Sequence, residues 1–145
     1  MTVDQNAQMM FQKIEYSTLN ARQKENFNFQ KISGILADYG YNCLRLSDDW
    51  QGADFIACHI DGDRFFKIQL KGRLTLQKKY IAKDVYIAFF DKGDCYIYPH
   101  DLVMDVTLAN DRIMDSDSWR HHDSYSWPTI PRWAKDLLKE YKVSQ

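Results

Sequence analysis

At 145 residues, with 45% hydrophobic and 14% aromatic content, the chain has the length and composition of one globular domain, which excludes a disordered or low-complexity protein. Its longest uninterrupted apolar run, Val85 to Phe90, is far too short for a membrane-spanning helix. A net charge of −1 excludes a globally basic nucleic-acid binder but leaves room for a local basic patch.

In chain order, residues 1–19 read as a short helical or irregular lead-in whose Met9, Met10, Phe11 and Ile14 could pack on the body. Asn20 is placed to cap a helix from Ala21 to about Tyr39, closed by Gly40. Phe29, Ile32, Ile35, Leu36 and Tyr39 fall at helical spacing, and one step back along that stripe stands Glu25, an acid on the face expected to point inward. A strand from Tyr41 to Leu46 follows, then a polar turn from Ser47 to Gly52.

Two apolar runs, Gly52 to Cys58 and Phe65 to Lys71, flank Asp61-Gly62 and read as a β-hairpin. Gly72 to Asp84 has no clear period and fits a continued strand, a loop or a short helix. Val85 to Phe90 and Cys95 to Tyr98, joined by Asp91-Lys92-Gly93-Asp94, predict a second hairpin. Pro99 opens a short helix through about Val106. Residues 109–129, polar and rich in aspartate, read as a long surface excursion in which Trp119 and Trp127 staple the loop to the core. An amphipathic helix is expected from Pro131 to Lys142.

The N-terminal Asp4, Gln5, Asn6 and Gln8 lack the basic-then-apolar pattern of an export signal. Cys43, Cys58 and Cys95 sit in strand-like runs without metal-type spacing, so reduced thiols and a cytoplasmic location are expected. His121-His122 lacks a second ligand pair at zinc spacing and reads as surface.

The chemistry-bearing feature is Asp54 followed by Gln69-Leu70-Lys71. In an antiparallel hairpin the end of the second strand returns beside the start of the first, and alternation puts Gln69 and Lys71 on one face. A carboxylate, an amide oxygen and an ammonium at one point suit a hard divalent cation and an activated water. Taken singly, Asp54 could end a turn, and Gln69 and Lys71 could be the solvent face of an edge strand; the joint spacing is what points to a site.

A helix with an inward glutamate, a strand, a Gly-x-Asp strand and a Gln-x-Lys strand end resembles the PD-(D/E)XK nuclease superfamily. That group includes restriction endonucleases, archaeal Holliday-junction resolvases and some homing endonucleases. The resemblance spans about residues 20–105 and implies an α/β (α+β) restriction endonuclease-like core of helix, three-stranded meander, helix and strand, in a mixed sheet flanked by helices. It implies a Mg²⁺-dependent DNA endonuclease, with Mn²⁺ as a substitute, in which Asp54 binds metal, Gln69 takes the second acidic position, Lys71 is the catalytic lysine and Glu25 matches a helix glutamate. Ala53 replaces the motif's proline, and Gln69 an acid, as in some active and some inactive members.

On these residues Asp54, Gln69, the Leu70 carbonyl and Glu25 are the expected metal ligands. Lys67 to Lys83 carries six basic residues and no acid, whereas Asp101 to Asp123 carries six aspartates against two arginines. The basic block makes nucleic acid, DNA first, the expected partner, with Lys67, Arg73, Lys78, Lys79 and Lys83 on its phosphates. A homodimer is frequent in the superfamily, because cutting two strands calls for two sites. The alternative is a nuclease-fold protein that binds nucleic acid or a protein partner without cutting.

Overall fold

The computed structural model describes residues 10–110 and 113–143. Helix α1 (Ala21–Ala37) starts where Asn20 closes a capping box: its Oδ1 accepts the Gln23 N–H at 2.8 Å, and the Gln23 Oε1 accepts the Asn20 N–H at 2.9 Å. Ile32, Ile35 and Leu36 form its buried stripe. The helix gives way to Gly40 at φ 85°, where a Cβ would come within 2.9 Å of the His59 ring, so glycine is required for both conformation and space.

Strands β1 (Tyr41–Trp50), β2 (Ala53–His59) and β3 (Phe65–Leu70) form an antiparallel meander, and β5 (Val85–Asp91) lies parallel to β3. Strand β6 (Asp94–Pro99) returns antiparallel to β5, its tight turn carried by Lys92 and Gly93 at φ 51° and 85°. The two-residue β8 (Lys142–Val143) completes a six-stranded mixed sheet of order β1-β2-β3-β5-β6-β8. One face packs α1 over Phe55, Ala57, Ile68, Ala88 and Cys95, and burial pushes the Cys95 thiol up to about 12.

The opposite face holds the larger core, in which Ile87, Phe89 and Tyr98 meet Val103, Met104, Trp119 and Leu138. These come from α2 (His100–Asn110), α3 (Asp117–His122) and α4 (Lys135–Lys139) as well as the sheet. Overall this is a mixed α/β fold with a central mixed sheet flanked by helices.

Several elements differ from the sequence expectation. Between β3 and β5, where the residues left strand, loop or short helix open and the resemblance implied a helix, the chain makes strand β4 (Leu74–Gln77) and a single 3₁₀ turn, Lys78–Tyr80. Leu74, Leu76 and Tyr80 are fully buried there, so apolar alternation outweighs helix formation in a segment too short for both. The partner of β4 is β7 (Ser124–Trp127), inside the segment read as a surface excursion. Trp119 and Trp127 are buried, so that segment contributes core as well as surface, and the tryptophans do staple it down.

Strand β1 runs on to Trp50, with its register to β2 shifting between Arg45 and Trp50, where a polar turn was expected. The C-terminal helix is reduced to a 3₁₀ turn and the five residues of α4 before β8 begins. Met10, Phe11 and Ile14 are exposed instead of packing on the body, and Met9 lies outside the described residues. Cys43, Cys58 and Cys95 are free thiols, and His121 and His122 are exposed. Among the described residues no helix is long and apolar enough to cross a membrane.

The small sheet is tied to the large one by buried polar contacts. The Tyr98 hydroxyl donates to the Thr75 carbonyl at 2.6 Å and accepts the Thr75 N–H at 3.1 Å, and the His100 Nε2 accepts the Gln77 N–H at 3.0 Å. Replacing Tyr98 by Phe strands both main-chain groups of Thr75 in the core. At roughly 1–3 kcal/mol for each unsatisfied buried group, a loss of about 3 kcal/mol in urea unfolding is expected. A loss below about 1 kcal/mol would mean that the bridge is not what joins the two sheets.

Candidate functional site

The cross-strand pair Phe55–Ile68 sets the register of the central hairpin. One step further, Asp54 and Gln69 stand opposite each other on the face turned away from Phe55. The Asp54 Oδ2 accepts the Leu70 N–H at 2.9 Å, which pins the carboxylate to the end of β3. Just past that end, the Lys71 N–H donates to the Ala88 carbonyl of β5 at 3.0 Å.

Glu25, Asp54, Gln69, Leu70 and Lys71 thus line one cleft of about 490 Å³, closed on its helix side by the start of α1. Glu25 stands at the mouth and is not buried: its side chain is 46% exposed and pairs with Arg45 at 3.1 Å. Burial falls along the stripe of α1 from Ile32 through the half-buried Phe29 to the exposed Glu25.

The charges in this cleft are held partly out of water. Burial raises the Asp54 carboxyl, aided by Glu25 and Asp49, and the Leu70 N–H only partly offsets this. Burial and the neighbouring Lys79 lower the Lys71 ammonium, while Asp54 and Asp49 pull it back up. Acid and base are therefore displaced toward each other, an arrangement common at reacting centres.

Gln69 is 9% exposed, and its Oε1 is buried with no hydrogen-bond partner among the described residues. Its Nε2 makes only a long 3.4 Å contact with the Leu70 carbonyl. A buried acceptor without a partner is rare enough in folded proteins to need a cause. A cation or its bound water would supply one, and half a turn of the amide would bring an oxygen to the side of the Leu70 carbonyl. Among the described residues no three His, Cys, Asp or Glu side chains form a metal-holding group. A cation here would therefore rest on Asp54 together with amide and main-chain oxygens, a set compatible with Mg²⁺ and its retained waters.

None of Lys67, Arg73, Lys78, Lys79 and Lys83 lines this cleft. Lys78 pairs with Asp123 at 3.3 Å and lies over the Trp119 ring, while Lys67 reaches the Lys83 carbonyl and the Trp50 ring. Two residues missed by the sequence reading act on the site without lining the cleft. Asp49, on the irregular end of β1, acts on both Asp54 and Lys71, and the fully buried Tyr80 lies 5.4 Å beneath the Lys71 ammonium. Asp49 was hidden in a segment read as a turn; Tyr80 carries no sequence signal beyond its place within the basic block. No protein-family model matches this chain, and no curated protein or solved structure is found similar to it.

Proposed function

We propose that this protein is a Mg²⁺-dependent endonuclease that hydrolyses phosphodiester bonds of DNA with a PD-(D/E)XK-type site. The observation that carries the reading is the shared cleft of Asp54, the half-desolvated Lys71 and Gln69, whose buried Oε1 has no hydrogen-bond partner among the described residues. Asp54, Gln69 and the Leu70 carbonyl would hold Mg²⁺ or Mn²⁺, and Glu25 would join once it leaves Arg45. When bound, the cation neutralises phosphate charge and makes its water a better nucleophile. Lys71 orients the attacking water and accepts or returns a proton at Nζ, a role its lowered proton affinity suits. Asp54, fixed by the Leu70 N–H, presents its remaining oxygen without a side-chain rearrangement.

A second reading, a nucleic-acid binder without turnover, is favoured by the Glu25–Arg45 pair and by an amide at position 69. Incubation with plasmid, nicked, branched and single-stranded DNA separates the two. Cleavage that requires Mg²⁺ or Mn²⁺ and stops in chelator is expected; binding with no cutting of any substrate would favour the second reading.

A further inference from the structure

Beside the Asp54 cleft, and sharing Tyr16, Asn28, Lys71 and Gly72 with it, runs a second cavity of about 490 Å³. It is lined by aromatic and basic side chains and, among the described residues, by no acid. The Tyr16 and Phe27 rings meet at 5.3 Å with planes 60° apart, and the Asn28 amide donates to the Tyr16 hydroxyl at 2.9 Å, fixing that ring. Lys24 lies over the Tyr16 ring at 5.4 Å and Lys31 over Phe27 at 5.3 Å. Tyr16 remains 41% exposed although it is a large aromatic residue. A third cavity of about 610 Å³ shares Glu25 and Asp54 with the cleft and adds Asp48 and Asp49, four acids in all against Arg22 and Arg45, the latter paired with Glu25.

We infer that the Tyr16–Phe27 groove binds single-stranded nucleic acid, stacking unpaired bases on the two rings and leading the strand into the Asp54 cleft. This rests on the nuclease reading for what happens in that cleft, and it adds the substrate class. Bases within an intact duplex offer edges but no faces, so stacking platforms select unpaired nucleotides. Lys24 and Lys31 cover the rings in the free protein and are long enough to swing to the phosphates when bases replace them. Lys71 is common to both cavities, so a phosphate following the stacked bases arrives beside it. With four acids against Arg22 and Arg45, the Asp48–Asp49 cavity is less favourable to a polyanion than the acid-free groove. The sequence-based expectation placed phosphate contacts on the 67–83 block; the groove places them on α1 instead.

The test is fluorescence anisotropy with labelled oligonucleotides of about twelve nucleotides, within the span one such groove covers. Single-stranded DNA, single-stranded RNA and duplex DNA are compared in chelator, so that binding is read without cleavage. Single strands of at least one kind should bind about tenfold tighter than duplex, and Tyr16→Ala and Phe27→Ala should each weaken them about tenfold. Gly72→Leu is the steric control: a Cβ there meets nothing within 4 Å, so the fold accepts it while the side chain enters the groove. It should weaken single-strand binding to a similar degree. Equal affinity for duplex and single strands, or single-strand binding indifferent to all three substitutions, would overturn the inference. Mg²⁺ added to the same samples separates the two readings. Ring-dependent binding without cleavage sinks the nuclease and keeps the groove, whereas metal-dependent cutting without single-strand preference does the reverse.

Discussion

Asp54→Asn is expected to abolish metal-dependent cleavage while leaving the protein at least as stable as wild type at neutral pH. Outer partners of metal ligands are worth about 10- to 100-fold, so removing the one carboxylate fixed inside the cleft should cost more than about 100-fold. The stability half follows from the same environment. Burial raises the Asp54 carboxyl above its ordinary 3.8, so the folded state holds the proton more tightly than the unfolded chain does. For that sign, the group's favourable contribution is complete below 3.8 and is lost as pH rises through the raised value. At neutral pH the ionised Asp54 therefore works against folding. Asparagine keeps an oxygen for the Leu70 N–H, whose bond to Asp54 measures 2.9 Å, and drops the charge. Cleavage rates and urea unfolding on one preparation check both halves. Activity within about threefold of wild type would remove Asp54 from the chemistry. A stability loss above about 2 kcal/mol would make it a structural strut.

Lys71→Met should cost about 100- to 10,000-fold in cleavage rate, the range for a positioned proton-transfer group, with little change in the affinity for substrate. Its stability effect also has a determined sign. Burial and Lys79 hold the Lys71 ammonium below its ordinary 10.5, so the unfolded chain binds the proton more tightly. Wild-type stability should then rise with pH between the lowered value and 10.5, and this slope should vanish in Lys71→Met. The variant should unfold no more easily than wild type at pH 7, because an apolar chain over the Tyr80 ring replaces a partly desolvated charge. Full activity in the variant would shift the proton handling elsewhere. Asp54 and Lys71 act on each other, so the double variant should deviate from additivity in stability.

Both results would describe a site that holds its ions at a cost to the fold. A carboxylate raised and an ammonium lowered have no structural benefit that asparagine and methionine would not also supply. The same reasoning applies to Gln69, near the end of β3, whose buried oxygen lacks a partner among the described residues, as does the Tyr80 hydroxyl under Lys71. Three residues that each violate ordinary burial chemistry, gathered in one cleft, are better explained by a ligand than by packing.

The local signals in the sequence were strong where the physics is local. The Asn20 cap, the Gly40 stop, the two hairpin turns and the antiparallel meeting of Asp54 with Gln69-Leu70-Lys71 follow from capping, positive-φ glycine and side-chain alternation. Tertiary structure decided what depends on distant partners. Leu74 to Gln77 becomes a strand because Ser124 to Trp127, some fifty residues on, pairs with it and Tyr98 bridges to Thr75. Glu25 faces the cleft mouth because Arg45 of β1 pairs with it, not because its stripe is buried. Tyr80 reaches Lys71, and Tyr16 meets Phe27, through contacts that no residue period encodes. A repeat along the chain reports which way a side chain points within its own element. Which surface arrives opposite it is settled only when the whole chain has packed.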